Sequence, residues 1–139
     1  MLPIQRHPLD DLLGIRYEEV SAGRVLASLA LSPRIHGATG AVHGGVLAAL
    51  VEGAASAGGA LNTGEGETVV CADTQLHHVR PVVGGTLHLC AVPVHRGFTQ
   101  QLWSAEVFDD RNRLVGRATV QVLHVARERA AAPATGQAR

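Results

Sequence analysis

One carboxylate stands in an otherwise apolar run of small residues, His43-Gly44-Gly45-Val46-Leu47-Ala48-Ala49-Leu50-Val51-Glu52-Gly53-Ala54-Ala55-Ser56. On a helix, Gly45, Ala48, Ala49, Glu52 and Ser56 share a face at spacings of three and four. A carboxylate buried there without a partner costs several kcal/mol, so Glu52 needs a partner or a chemical task. The two glycines fall where the first backbone N–H groups of the helix lack internal acceptors. Free amides at the positive end of a helix dipole suit a developing oxyanion. An oxyanion site with a carboxylate, and no evident nucleophilic Ser or Cys, suggests acyl transfer to water. His43 either binds substrate or orients its loop by a hydrogen bond. Ser56 either serves the chemistry or satisfies a backbone carbonyl of its own helix.

Spacing limits what one chain can do. Gly45 and Glu52 are seven residues apart, roughly 10 Å at about 1.5 Å per residue. A reacting carbonyl needs its oxyanion donor and its attacking group each within about 3 Å. We therefore expect Gly45 of one chain to work with Glu52 of another, and an isolated monomer to be inactive. Direct attack by Glu52 would form a mixed anhydride, whereas general-base attack would activate water, and the sequence leaves both open.

The elements that must position these groups fit one domain. The chain has 139 residues, and 46% are hydrophobic and 17% charged. Only four are aromatic, so Val, Leu and Ala must build the core. Formal net charge is zero, which argues against nucleic acid or anionic lipid as partner. Cys71 and Cys90 have no metal or redox spacing and read as reduced, buried thiols of a cytoplasmic protein. The start of the chain lacks a signal-peptide pattern, and no span crosses a membrane on this reading. His77 and His78 point to opposite strand faces, as do His88 and His95, so no metal site is expected. No cofactor is implied.

Pro8 precedes a short helix at Leu9–Leu13. Strands are expected at Ile15–Val20 and Arg24–Leu31, then a loop at Ser32–Val42 and the central helix at Gly44–Leu61. Four further strands follow, at Thr68–Val79, Thr86–His95, Gln101–Phe108 and Leu114–Val125. They are read as successive hairpins. Residues 1–126 form the domain and 127–139 a disordered tail. Gly53, Gly58 and Gly59 sit in the helix although Gly costs about 1 kcal/mol relative to Ala there. Their presence predicts close approach of a sheet to the helix backbone. Trp103, at strand spacing, is expected in the core or an interface.

The segment Gly40-Ala41-Val42-His43-Gly44-Gly45-Val46-Leu47-Ala48-Ala49-Leu50-Val51-Glu52 resembles the signature of hotdog-fold acyl-CoA thioesterases. It is closest to the 4-hydroxybenzoyl-CoA and phenylacetate-pathway branch, whose pattern is G-x-x-HGG followed by an acid. The similarity continues in Val79-Arg80-Pro81-Val82-Val83-Gly84-Gly85, in Gly97-Phe98-Thr99 and in Arg113-Leu114-Val115-Gly116-Arg117-Ala118-Thr119. It covers roughly residues 12 to 125. The resemblance implies an α+β hotdog fold, one long helix wrapped by a curved antiparallel sheet of about six strands. It also implies a homodimer with a continuous sheet, often a homotetramer, and sites between subunits. On this resemblance the amide of Gly44 or Gly45 binds the thioester oxygen, Glu52 is nucleophile or base, and Ser56 stands near the attacking water. Arg80, Gly97, Phe98 and Thr99 are candidates for holding CoA. Family members often carry Asn or Gln six residues before the signature His. Gly37 stands there in this chain, and a one-residue shift would let His36 substitute. The expected activity is metal-free hydrolysis of an aromatic or medium-chain acyl-CoA. The alternatives are an acyl-CoA-binding protein without hydrolysis and an acyl-carrier-protein thioesterase.

Overall fold

The structure, a computed structural model, describes residues 7–130. Its strands are β1 (Arg16–Val20), β2 (Val25–Ala30), β3 (Glu67–His78), β4 (Thr86–Arg96), β5 (Gln100–Phe108) and β6 (Leu114–Ala126). They form one antiparallel sheet in the order β1-β2-β4-β5-β6-β3. A short helix, α1 (Pro8–Leu13), precedes the sheet. The long helix α2 (Gly44–Gly59) leads into a 3-10 turn at Ala60–Asn62. Helix α2 touches β2 through β6, so the sheet wraps it, as in the hotdog fold.

Three glycines of α2 pack closely against the sheet, Gly58 most tightly. A Cβ on Gly58 would run into the Trp103 ring and come within 2.8 Å of Val25 Cγ2. One on Gly59 would lie 3.2 Å from Val122, and one on Gly53 only 2.7 Å from the Tyr17 hydroxyl. The expected close approach is therefore present, and it outweighs poor helix propensity. Val46, Leu47, Leu50, Val51, Ala54 and Ala55 fill the buried face of the helix. Leu87, Leu89 and Ala91 of β4 meet them from the sheet, as their alternation predicts. Trp103 is the one aromatic ring in this core. Its Nε1 donates to Gln101 Oε1, and Gln101 Nε2 donates to the Gly59 carbonyl. Because the sheet covers α2, the apolar stretch Gly44–Asn62, long enough by composition to cross a membrane, is half buried in this core. At the other edge Tyr17 donates to Asp10 of α1 (2.9 Å). Burial, then the charge and hydrogen bond of Asp10, raise the Tyr17 hydroxyl above its ordinary range and keep it a donor.

One expectation needs correction. Strand β3 does not form a hairpin with β4; it pairs with β6, from Glu67↔Ala126 to His78↔Gly116. Residues 79–85 are thus a crossing from one edge of the sheet to its middle, pinned by Val79 and Arg80 N–H on Val115 O and by Val42 N–H on Val82 O. Burial explains the order. The inner residues of β4 are nearly all buried and need neighbours on both sides, whereas Asp73, Gln75 and His77 keep β3 polar enough for an edge. Arg127–Ala130, at the start of the expected tail, form a helical turn, α3; the rest of that tail, 131–139, lies outside the described residues.

We expect Gly58→Ala to destabilise the protein by about 1–3 kcal/mol, because overpacking against Trp103 exceeds the helix-propensity gain of about 1 kcal/mol. Denaturant unfolding checks this. An unchanged or raised midpoint would mean that the seam is looser than described.

Candidate active site

The start of α2 is set by His43. Its backbone is extended (φ −64°, ψ 134°), and its ring caps the helix: Gly45 N–H donates to His43 Nδ1 at 2.8 Å. Val46 N–H donates to the His43 carbonyl at 2.9 Å. Of the two glycine amides, Gly45's is therefore occupied. Among the described residues nothing accepts from Gly44 N–H. The His43 ring thus caps the start of α2, and Gly44 keeps the free donor. Gly37 lies against His43, since a Cβ there would be 3.8 Å from the His43 ring. His36 follows a 3-10 turn at Pro33–Ile35, and its Nε2 is buried without a partner among the described residues.

Glu52 lies two turns further along α2, on the stripe that the core leaves half-covered. Its Oε1 accepts from Thr74 Oγ1 of β3 at 2.7 Å. One turn on, Ser56 Oγ lies 3.2 Å from Cys71 Sγ, and the same thiol donates weakly to the Glu52 carbonyl at 3.6 Å. Burial raises the Cys71 thiol; the Ser56 hydrogen bond opposes this and the Glu52 charge adds to it. A thiol so held stays protonated, which disfavours it as a nucleophile. Cys71 and Cys90 are separate free thiols, half-buried rather than fully buried.

Beside Gly44 is an open cleft of about 340 Å³. Val42 and the buried Leu47 and Val115 line it, with His78 and Arg80 beside them. The His78 ring lies over Gly44: a Cβ on that glycine would be 3.1 Å from His78 Cε1. The structure thus brings Gly44 and Arg80 together. Glu52 and Ser56 stand apart from them over the middle of β3. Gly97, Phe98 and Thr99 form the β4–β5 turn, at the end of the sheet where Thr99 O accepts from His124 N–H, and Phe98 is 99% exposed. Within one chain these three are remote from the cleft. Sequence reasoning missed Thr74, Cys71 and His78. The strand alternation that would have aimed Thr74 is broken by an extra residue in β3. Among the described residues no three His, Cys, Asp or Glu side chains converge as metal ligands.

The sequence profile of the thioesterase superfamily matches residues 39–116, from the loop before α2 to the start of β6. The chain belongs to the thioesterase superfamily. It is 38% identical over 101 residues to the proofreading thioesterase EntH of Klebsiella pneumoniae, covering 73% of this chain and 74% of that one. The crystal structure of AziG from S. sahachiroi superposes with a TM-score of 0.82 at 34% identity, covering 86% of this chain and 98% of that one. A Haemophilus influenzae thioesterase superposes at 0.80 with 29% identity, covering 85% and 82%. This thioesterase-superfamily chain is a thioester hydrolase with a hotdog fold.

Loss of the cap should show in stability before it shows in chemistry. His43→Ala should cost about 1 kcal/mol, and His43→Asn, which restores a capping acceptor, should recover most of it. Equal denaturation midpoints for all three proteins would mean that the ring does not hold the start of the helix.

Proposed function

We propose that the protein hydrolyses an acyl-CoA without metal or cofactor, in a site shared by two chains. The observation that carries this is the division of labour along α2. A free amide at Gly44 adjoins an apolar cleft, and a carboxylate at Glu52 has one oxygen held and the other without a partner among the described residues. Gly44 N–H would stabilise the oxyanion that forms on the thioester carbonyl. Glu52 would drive the attack, with Ser56 beside the incoming water. The C–S bond then breaks, the proton reaches the departing thiolate, and free acid and CoA leave. Arg80, at the cleft, suits a phosphate of CoA. The apolar lining of the cleft by Val42, Leu47 and Val115 is consistent with an aromatic or medium-chain acyl group. His36 in place of the family's Asn or Gln, and Gly97, Phe98 and Thr99 as CoA contacts, remain part of this proposal.

Gly44 and Glu52 are eight residues apart on α2, about 12 Å along its axis. Two chains resolve the mismatch. Strand β3 is twelve residues long and lies at the sheet edge, and a free edge of that length is a template for a second copy. Antiparallel β3–β3 pairing would run the partner's His78 end back along this strand. That motion carries Gly44 of the partner subunit toward Glu52. We propose a homodimer on this basis, and a homotetramer as a pair of such dimers.

A panel of acyl-CoA and acyl-carrier-protein thioesters, with release of free thiol as readout, tests the activity. We expect turnover of an aromatic or medium-chain acyl-CoA and a loss of at least 100-fold in Glu52→Gln. Binding of acyl-CoA without thiol release would favour a carrier or sensor, and a preference for acyl-carrier-protein substrates would reassign the thiol partner. A second substitution isolates the amide. Proline is tolerated at the first position of a helix and lacks the N–H, and the extended backbone of His43 suits the residue before it; the proline Cβ meets the His78 ring at 3.1 Å, a contact that alanine at the same position reproduces. Gly44→Pro should keep the fold and lose about 10²–10³-fold in kcat. Gly44→Ala keeps the amide and should lose far less. Equal activity of the two variants would remove Gly44 from the oxyanion site.

A further inference from the structure

We propose that Thr74 is the positioning residue for Glu52, delivered to it by the bulge in β3. The proposal rests on Glu52 being the catalytic acid. Side chains of a regular strand alternate between faces, so Cys71 and Thr74, three apart, should point in opposite directions. They do not. Cys71 pairs with Val122 and Thr74 with Val120, both inward-facing core residues of β6, while Ala72 and Asp73 together oppose Gln121. One extra residue at this point shifts the remainder of β3 to the opposite phase. Both Cys71 and Thr74 therefore reach α2, where they contact Ser56 and Glu52 respectively.

The alternative register makes the consequence plain. Without the extra residue, Asp73 would take the inward phase, and two carboxylates would face each other at the site. With it, Asp73 points outward, where Gln75 donates to its Oδ2 at 3.3 Å, and a hydroxyl meets Glu52 instead. The bond joins residues 22 apart in the chain and on different elements, so local backbone geometry does not produce it. Thr74 is half-buried, and its hydroxyl proton is committed to Oε1. That commitment fixes the rotation of the carboxylate and directs Oε2 toward the reacting group. A donor to a charged acceptor is among the stronger protein hydrogen bonds.

The test uses the full-length protein and benzoyl-CoA, or whichever acyl-CoA the panel shows to be turned over fastest. Thr74→Val keeps shape and strand propensity but removes the donor. We expect kcat to fall about 10–100-fold with KM within about twofold, as for loss of a hydrogen bond to a charged group. Thr74→Ser should return kcat to within about threefold of the parent. In a Glu52→Asp background, where the shorter carboxylate cannot reach Thr74, the Val substitution should cost little further activity. Circular dichroism and denaturation midpoints confirm folding; if Thr74→Val is not folded, Thr74→Ala takes its place beside Thr74→Ser. Unchanged kcat in the Val variant, a rise in KM alone, or equal loss in the Val and Ser variants would each overturn the role of Thr74 while Glu52→Gln remains inactive. Activity persisting in Glu52→Gln itself would overturn both this proposal and the function on which it rests.

Discussion

The structure depends on how closely the sheet can approach α2. Glycine at 53, 58 and 59 lets Tyr17, Trp103, Val25 and Val122 come within van der Waals contact of the helix backbone. A larger residue at Gly58 would push Trp103 and Val25 outward and loosen a core in which Trp103 is the one fully buried aromatic ring. The wrapping also determines what stays uncovered. The Gly45–Ala48–Ala49–Glu52–Ser56 stripe is the part of α2 that the central strands do not reach, and edge strand β3 looks across at it. A carboxylate can be kept there half-desolvated because a hydroxyl from β3 supplies the hydrogen bond that water would otherwise give.

The same helix that organises the core separates the Gly44 amide from the Glu52 carboxylate, the two groups proposed to carry thioester hydrolysis. Its first amide belongs to the end of the sheet where β3 finishes and β6 begins, and its carboxylate belongs to the middle of β3. Rigid geometry prevents one chain from closing that gap. The unpaired edge of β3 offers a physical remedy, since pairing with a second copy both satisfies backbone groups and brings a second helix start alongside. In the proposed dimer, assembly and chemistry are consequences of one edge. The bulge at Ala72 and Asp73 belongs to this arrangement too, because it turns a hydroxyl rather than a carboxylate toward Glu52.

Much of this was legible in the sequence. The glycines of the helix announced close packing, alternation together with β-branched runs and turn signals located all six strands to within a residue or two, and the acid among alanines stood out. Strand order was not legible, because adjacent strands in sequence are read as hairpins unless burial on both sides of β4 is known. Thr74 was hidden for a related reason: a bulge leaves no trace in a two-residue period except a break in it, and Cys71-Ala72-Asp73-Thr74 has no strong period to break. The choice between Gly44 and Gly45 needed the His43 ring in three dimensions, since either glycine can donate until a side chain takes one of them.

Whether the working site is built from two chains is best measured by mixing. Glu52→Gln and Gly44→Pro chains, each inactive alone, are to be unfolded together, refolded at equal concentration and assayed for thiol release. If each site takes its amide from one subunit and its carboxylate from the other, random pairing makes half the dimers hybrid, each with one intact site, and about a quarter of the parent activity returns. No recovery above the separate variants, with hybrid dimers demonstrated by native mass spectrometry, would contradict a shared site.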